Sequence, residues 1–239
     1  MQIMDEHSTI QYLIDHRASI ARYGDGELKL CTGRRAKSQV CSAGIQNRMR
    51  EILVSRNNNN CLVGIPRIYS SEDKCRMSER KWSFWKNYAN DKHLPLYDKY
   101  KLYGSAFITR PDAAPGIDNA EYYAKIKSLW KDREVLILHG KGTGFLKSPS
   151  LLDGVKKYQE AIGPPTNAYS EHKSLLKRML LTSDRDTIIL ISLGPEATIL
   201  AWDLACNERQ ALDLGHLGMF YAHIHPKDKQ WDGVDRGPY

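Results

Sequence analysis

Short apolar runs rich in β-branched residues alternate along this chain with stretches whose apolar residues recur at helical spacing. The clearest runs are Cys61–Ile65, Val135–Leu138 and Thr187–Leu193. Each is long enough for a buried strand and far shorter than the roughly 20 residues of a membrane helix. A helical pattern starts at Pro195 and ends near Cys206. This alternation predicts an α/β fold with a largely parallel sheet.

The composition is that of an ordinary globular protein. The 239 residues are 41% hydrophobic and 26% charged, with no linker-like stretch and no internal repeat, so a single domain over 1–239 is preferred. The five cysteines are scattered without a C-x-x-C pair, which favours a reducing cytoplasm over a disulfide framework or a zinc ribbon. Met1–Asp5 lacks the opening of a signal peptide. A net charge of +7 favours an anionic partner: a nucleotide, a nucleic acid or a lipid surface.

Cap and turn residues predict where the remaining elements begin and end. Ser8 is expected to cap the first helix, and Asp118, with Glu121 three residues on, resembles a capping box that opens a later one. Further helices are expected over Gly44–Arg56 and Glu171–Leu181 and after Ser78, and further strands over Ser19–Tyr23, Leu102–Thr109 and Ala211–Leu214.

Residues that directly follow a strand deserve the most weight, because ligands of open α/β sheets bind beyond the carboxyl ends of the strands. Asp25 and Glu27 stand two apart between glycines, a spacing at which two carboxylates from one tight loop can share a divalent cation that holds a diphosphate. A glycine turn with solvated acids is the alternative. His216, in a Gly-His step after the last expected strand, could be a metal ligand, a base, a phosphate donor or a structural histidine.

Anion-binding groups are expected at the same edge of the sheet. Gly194-Pro195 would leave backbone N–H groups at a helix start free to bind an anion, although Gly-Pro is also ordinary punctuation between strand and helix. Arg22, Arg110 and Lys141 could clamp phosphates or could be surface charges.

These residues leave two functions open, methyl transfer and nucleic-acid binding. Val135–Gly144 resembles the glycine-rich turn of S-adenosylmethionine-dependent methyltransferases, although no clear acidic residue closes the next strand. A nucleic-acid-binding α/β module would need its positive charge in a continuous stripe, whereas lysine and arginine are spread along this chain.

Three stretches together resemble the GT-D-type bacterial glycosyltransferases. They are ARYGDGEL at Ala21–Leu28, LYGSAFITRP at Leu102–Pro111, and the segment from Leu190 to His216 with LISLGPEA, AWDLA and QALDLGH. They follow the family order, and the resemblance covers about residues 8–220. It implies a single Rossmann-like domain, a mostly parallel sheet flanked by helices, that transfers a sugar from a nucleotide diphosphate sugar.

The resemblance also assigns roles. It marks Asp25 and Glu27 as the D-x-E pair of the family, expected near a divalent ion (Mn²⁺ or Mg²⁺) and the donor diphosphate. It matches His216 to the histidine of the Asp-x-Gly-His step, so that Glu27, Asp25 and His216 are the catalytic candidates, with Glu27 and His216 as alternatives for the base. The candidates for binding the nucleotide sugar are Arg22, Gly24, Gly26, Ser105, Arg110, Gly140, Lys141 and Gly194.

The implied reaction moves glucose or galactose from a UDP-sugar to a sugar hydroxyl of a glycan, a glycoprotein or a lipid-linked acceptor in bacterial surface polysaccharide assembly, such as O-antigen. No nucleic acid partner is expected. We expect a possible homodimer in the cytoplasm, with at most peripheral contact with the inner face of the membrane. Two segments depart from the family pattern. His139–Gly144 replaces an acidic residue and a Ser-Arg-containing glycine loop, and Leu217–Tyr221 lacks the acids that often follow Gly-His. The tail over 221–239 is left unassigned.

Overall fold

A single eight-stranded sheet forms the centre of the computed structural model, which describes residues 1–56, 60–90, 92–141 and 148–224. All of its strand pairs are parallel, so the predicted fold class is confirmed. Across the sheet the order is β1-β4-β3-β2-β8-β7-β5-β6. The strands are β1 (Gln2–Ile3), β2 (Ser19–Arg22), β3 (Cys61–Ile65), β4 (Leu102–Ser105), β5 (Glu134–Gly140), β6 (Lys157–Gly163), β7 (Ile188–Ser192) and β8 (Gln210–Asp213).

Helices flank the sheet and form most of the connections. None of the described helices is long and apolar enough to cross a membrane. They are α1 (Glu6–His16), α2 (Asp25–Cys31), α3 (Ala43–Val54), α4 (Ser71–Arg76), α5 (Glu79–Trp85), α6 (Ala120–Ser128), α7 (His172–Thr182), α8 (Pro195–Cys206) and α9 (Leu217–Ile224).

The core fixes the strand ends in place. α8 is buried along nearly its whole length, because it packs against β2 and β8 with α3 and α7 beside it. In α3, predicted over Gly44–Arg56, the apolar residues form a buried face: Ser42 caps the helix, and Ile45, Met49 and Ile52 are fully inaccessible. Burying side chains of this size contributes about 1.5–3 kcal/mol each.

Two predicted caps are wrong by a few residues. Asp5 caps α1, since its carboxylate accepts a hydrogen bond from the Ser8 N–H at 2.6 Å, and Ser8 lies inside the helix. Asn119, not Asp118, caps α6 through the Tyr122 N–H at 2.9 Å. In both cases a neighbouring Asp or Asn competes for the cap, and all of these residue types cap well.

The strand expected over Leu102–Thr109 ends at Ser105, where the chain turns and the Arg110 N–H donates to the Phe107 carbonyl at 2.8 Å. β1, β6, α4 and α9 were not expected. β6 lies at the edge of the sheet with most of its residues exposed, so its sequence, KYQEAIG, contains no apolar run to predict it.

β2 and β8 lie side by side in the middle of the sheet, although β8 is the last strand of the described chain. From β2 the sheet extends through β3 and β4 in one direction, and from β8 through β7 and β5 in the other. In open parallel sheets a crevice opens beyond the carboxyl ends where the strand order reverses. The strand order therefore predicts a ligand crevice between the ends of β2 and β8.

Candidate active site

Three strand ends bring most of the predicted site residues to this crevice. Arg22 ends β2, Asp25 and Glu27 open the helix that follows it, and His216 comes soon after β8. Arg110 comes from the turns after β4. Burial lowers the pKa of Arg110, but nearby carboxylates, Asp25 and Glu27 among them, raise it above its ordinary value.

The D-x-E pair forms the first turn of α2, not the tight loop that the glycines predict. The N–H of Gly24, the N-cap, donates to Glu27 Oε2 at 2.7 Å, and Lys29 Nζ donates to Asp25 Oδ2 at 2.8 Å. Residues two apart on a helix do not face each other, so each acid has its own partner. A ligand that takes both carboxylates must compete with these two contacts.

Two side chains of the site that could serve as a base have shifted pKa values. Burial, with the charges of Asp213 and Asp25, raises the pKa of Glu27 to about 7. The pKa of His216 is lowered by partial burial of its ring among the neighbouring elements, although part of its surface stays exposed, and by the positive charges of Arg110 and Arg22. A group with a pKa near the working pH suits general base catalysis.

Arg22 is nearly inaccessible, and its guanidinium ties the ends of β2 and β8 to the turns after β4. Nε donates to the Asp213 carbonyl at 2.5 Å, and Nη1 donates to the Ala106 carbonyl at 2.9 Å and to the Thr109 hydroxyl at 2.6 Å. Nη2 lies 3.5 Å from Asp213 Oδ1. Nε and Nη1 thus donate to the protein itself, and only Nη2 has no hydrogen bond among the described contacts, so the contacts favour a structural role for Arg22 over the predicted one.

Asp213, at the end of β8, was not predicted as part of the site. Its Oδ2 accepts from the Arg22 N–H at 3.2 Å and from the Thr198 hydroxyl at 3.1 Å, and its Oδ1 accepts from the Gly215 N–H at 3.2 Å. Gly215 has φ +50°, and a Cβ there would lie 2.5 Å from Arg22 Nη2. The sequence feature that could have identified Asp213 is the Asp-x-Gly-His step, because it places an acid at the end of a strand.

Arg110 is held by a bidentate ion pair. Its Nε and Nη2 donate to the Asp112 oxygens at 2.7 and 2.9 Å, and Lys81 of α5 donates to the same carboxylate at 2.6 Å. Arg110 Cζ lies 5.5 Å from the centroid of the Phe220 ring on α9. A guanidinium fixed in this way is a preorganised positive charge beside the D-x-E pair.

The first turn of α8 meets the first turn of α2. Gly194 precedes α8 with φ +58° and ψ −149°, a conformation that favours glycine. A Cβ on Gly26 would lie 3.7 Å from Pro195 Cγ, so the two helix starts are in contact. The amino end of α8, with its oriented amides, therefore borders the D-x-E pair.

Three predicted donor-binding residues lie apart from this cluster. Ser105 is fully buried, and its hydroxyl donates to Glu6 Oε1 at 2.8 Å within the protein interior. Gly140 ends β5, two places from β8 in the sheet, and the exposed Lys141 follows it. The rest of the predicted glycine turn, 142–144, lies outside the described residues.

For a divalent cation the site offers two carboxylates from one helix turn. Within the described ranges, no three His, Cys, Asp or Glu side chains form a group that could hold a metal. Mg²⁺ commonly binds one or two protein carboxylates and takes further oxygen ligands from substrate phosphates and water, and Mn²⁺ favours the same oxygen donors. Asp25 and Glu27 each offer the right oxygen donors for such an ion, but they do not face each other on the helix, so the diphosphate and water would have to complete the ligand set.

The amino-acid sequence is similar to known glycosyltransferases. The model of the family "Glycosyltransferase GT-D fold" matches residues 20–230. The "Probable glycosyl transferase Gly" of Streptococcus gordonii is 30% identical over 226 residues, which are 92% of this chain and 33% of that protein. "Glycosyltransferase GlyD" of Streptococcus pneumoniae is 27% identical over 92% of this chain and 27% of its own length. The chain thus spans about a third or less of the curated relatives it matches.

Solved structures agree with these relatives. "A New Glycosyltransferase (DUF1792) from Streptococcus sanguinis" has a TM-score of 0.83 and 29% identity, covering 95% of this chain and 85% of that one. A second structure, described as having "a distinct glycosyltransferase fold", has a TM-score of 0.85 at 24% identity, covering 100% of this chain and 86% of that one, and it supports the fold alone.

Proposed function

The chain belongs to the GT-D family of glycosyltransferases, and from this premise we propose that it transfers a hexose from a UDP-sugar to an acceptor hydroxyl with the help of a divalent cation. One observation supports the proposal most: the D-x-E turn after β2, the Asp-x-Gly-His step after β8 and Arg110 lie at the same edge of the sheet, near enough for their charges to shift one another's pKa values. Family membership favours this reaction over methyl transfer and nucleic-acid binding.

Asp25 and Glu27 would hold Mn²⁺ or Mg²⁺ against the donor diphosphate. When bound, the ion would supply positive charge where the leaving UDP develops negative charge. To bind it, Asp25 would exchange its contact with Lys29, and Glu27 would be ionised.

Arg110 and the first turn of α8 would stabilise the same departing diphosphate. Arg110 already has its orientation from Asp112 and Lys81. Charges that are fixed before the reaction need no reorganisation as the transition state forms, and such electrostatic stabilisation is commonly a large part of catalysis.

The acceptor hydroxyl needs a base within hydrogen-bond reach, and Glu27 and His216 remain the two candidates. Glu27 has a pKa near neutrality, and the pKa of His216 is lowered, which favours its neutral imidazole. A glycan, a glycoprotein or a lipid-linked sugar in bacterial surface polysaccharide assembly is the proposed acceptor class, in the cytoplasm or at the inner face of the membrane.

A thermal-shift experiment tests the donor and the ion together. UDP with Mn²⁺ is expected to stabilise the protein more than the sum of the separate shifts, because the ion would bridge the diphosphate and the D-x-E carboxylates. A ligand at about 100 times its Kd stabilises the native state by roughly 2.7 kcal/mol. An unchanged UDP shift on adding Mn²⁺ argues against the ion, and a shift with S-adenosylmethionine but not with UDP argues for methyl transfer.

A further inference from the structure

We propose that a surface beside the candidate active site binds an anionic membrane. This surface, which we call the docking face, consists of Arg34, Phe84, Lys92 and Leu94, all of them exposed. The inference goes beyond the proposed reaction, because binding to a bilayer can be measured without any sugar donor or acceptor.

Aromatic contacts connect the apolar members of the docking face. The ring of Phe84 on α5 lies 5.6 Å from that of Tyr88, and Tyr88 lies 5.3 Å from His93, the residue before Leu94. Phe84 and Leu94 each keep 44% of their surface exposed. Phe84, on this aromatic cluster, and Leu94, next to it in the chain, form the apolar part of the docking face.

Two cations belong to the same surface. Burial lowers the pKa of His93, and the positive charges of Arg34 and Lys92 lower it further, so both cations lie close to this ring. Arg35, next in the chain, is exposed as well. The docking face therefore combines positive charge with projecting apolar groups.

The docking face borders the D-x-E pair. Lys29 Nζ lies 2.8 Å from Asp25 Oδ2. Burial raises the pKa of Tyr88, with further effects from Asp25, Lys29 and Arg34, so Tyr88 is near both this acid and Arg34 of the docking face. A bilayer on this face would lie next to the crevice, within reach of sugars attached to lipids.

A bilayer suits this surface better than a polypeptide does. The docking face combines the basic side chains of Arg34 and Lys92 with the projecting apolar side chains of Phe84 and Leu94. Peripheral proteins bind anionic bilayers by combining inserted apolar side chains with basic residues near the headgroups. The net charge of +7 acts in the same direction.

Co-sedimentation with lipid vesicles tests the docking face directly. The wild-type chain is expected to sediment with vesicles of phosphatidylcholine and phosphatidylglycerol, and much less with phosphatidylcholine alone. Arg34→Glu combined with Lys92→Glu should weaken partitioning at least about tenfold. Phe84→Ser combined with Leu94→Ser should weaken it as well, in a manner less sensitive to salt.

A matched control uses α7, whose Lys173, Lys177 and Leu181 are also exposed. Lys173→Glu with Lys177→Glu changes the net charge equally, and Leu181→Ser removes a similar apolar side chain, so these variants should retain nearly all of the binding. Circular dichroism verifies that every variant is folded. If the serine variants are not folded, the result for Arg34→Glu combined with Lys92→Glu decides the test alone. The proposal would be overturned if the wild-type chain did not bind vesicles, or if the α7 control variants lost as much binding as the docking-face variants. It would also be overturned if the docking-face variants lost binding to an acidic polypeptide rather than to vesicles.

Discussion

At the scale of single residues, the crevice depends on a buried ion pair that no apolar pattern predicts. Arg22 and Asp213 are both nearly inaccessible, and between them they connect the ends of β2 and β8 and the turn that leads to His216. Most of the donors of Arg22 bind the protein itself, so we expect its loss to appear first as a loss of stability.

Arg22→Met is therefore expected to lower the free energy of unfolding by about 3–5 kcal/mol, because it leaves the carboxylate of Asp213 buried without its cation. Arg185→Met breaks an exposed pair with Glu208 and should change stability by no more than about 0.5 kcal/mol. Urea unfolding of both variants gives the comparison. Equal effects would mean that the Arg22–Asp213 pair is not a principal support of this edge of the sheet.

At the scale of secondary-structure elements, a charged network joins three helices behind the crevice. His172, the first residue of α7, is 2.7 Å from Glu196 Oε1 and 3.0 Å from Asp203 Oδ2, both on α8. Asp203 also pairs with Arg48 of α3. Burial by itself would lower the pKa of His172, but the hydrogen bonds and charges of Asp203 and Glu196 raise it to about 9.

This raised pKa predicts how stability depends on pH. The folded protein holds the His172 proton more tightly than the unfolded chain, whose ordinary value is 6.5. The stabilisation is therefore complete below that value and is lost as the pH rises through about 9. Urea unfolding of wild type and His172→Gln should show a difference that shrinks by up to about 3 kcal/mol over this interval. His16→Gln, at an exposed histidine of α1, is the control, and a difference independent of pH would contradict the assignment.

At the scale of the whole molecule, the sequence predicts the centre of the sheet far better than its edges. The strand Cys61–Ile65 and the helix Pro195–Cys206 have the predicted bounds, because both are buried and their composition shows it. β6 and the short β1 lie at the two edges, where partial exposure removes the apolar signal.

The same limit applies to the site. The sequence predicts that Asp25, Glu27, Arg110 and His216 lie at one edge of the sheet, because each follows a strand, and they do lie there; their roles stay predictions. The helical conformation of the D-x-E turn could not be predicted, since glycines on both sides of Asp25 predict a loop. The structural role of Arg22 could not be predicted either, because it depends on partners that are distant in the sequence, among them Thr109 and Asp213.

The central claim is that the D-x-E turn holds the donor diphosphate, and the most direct test is the rate of UDP release from a UDP-hexose in the presence of Mn²⁺. Asp25→Asn and Glu27→Gln should each reduce turnover at least about a hundredfold, the scale of 2.7 kcal/mol of lost transition-state stabilisation, while the chain stays folded. Glu121→Gln, which alters an exposed acid in the first turn of α6, should leave turnover unchanged. Full activity in both D-x-E variants would contradict the account and move the ion and the base to the His216 side of the crevice.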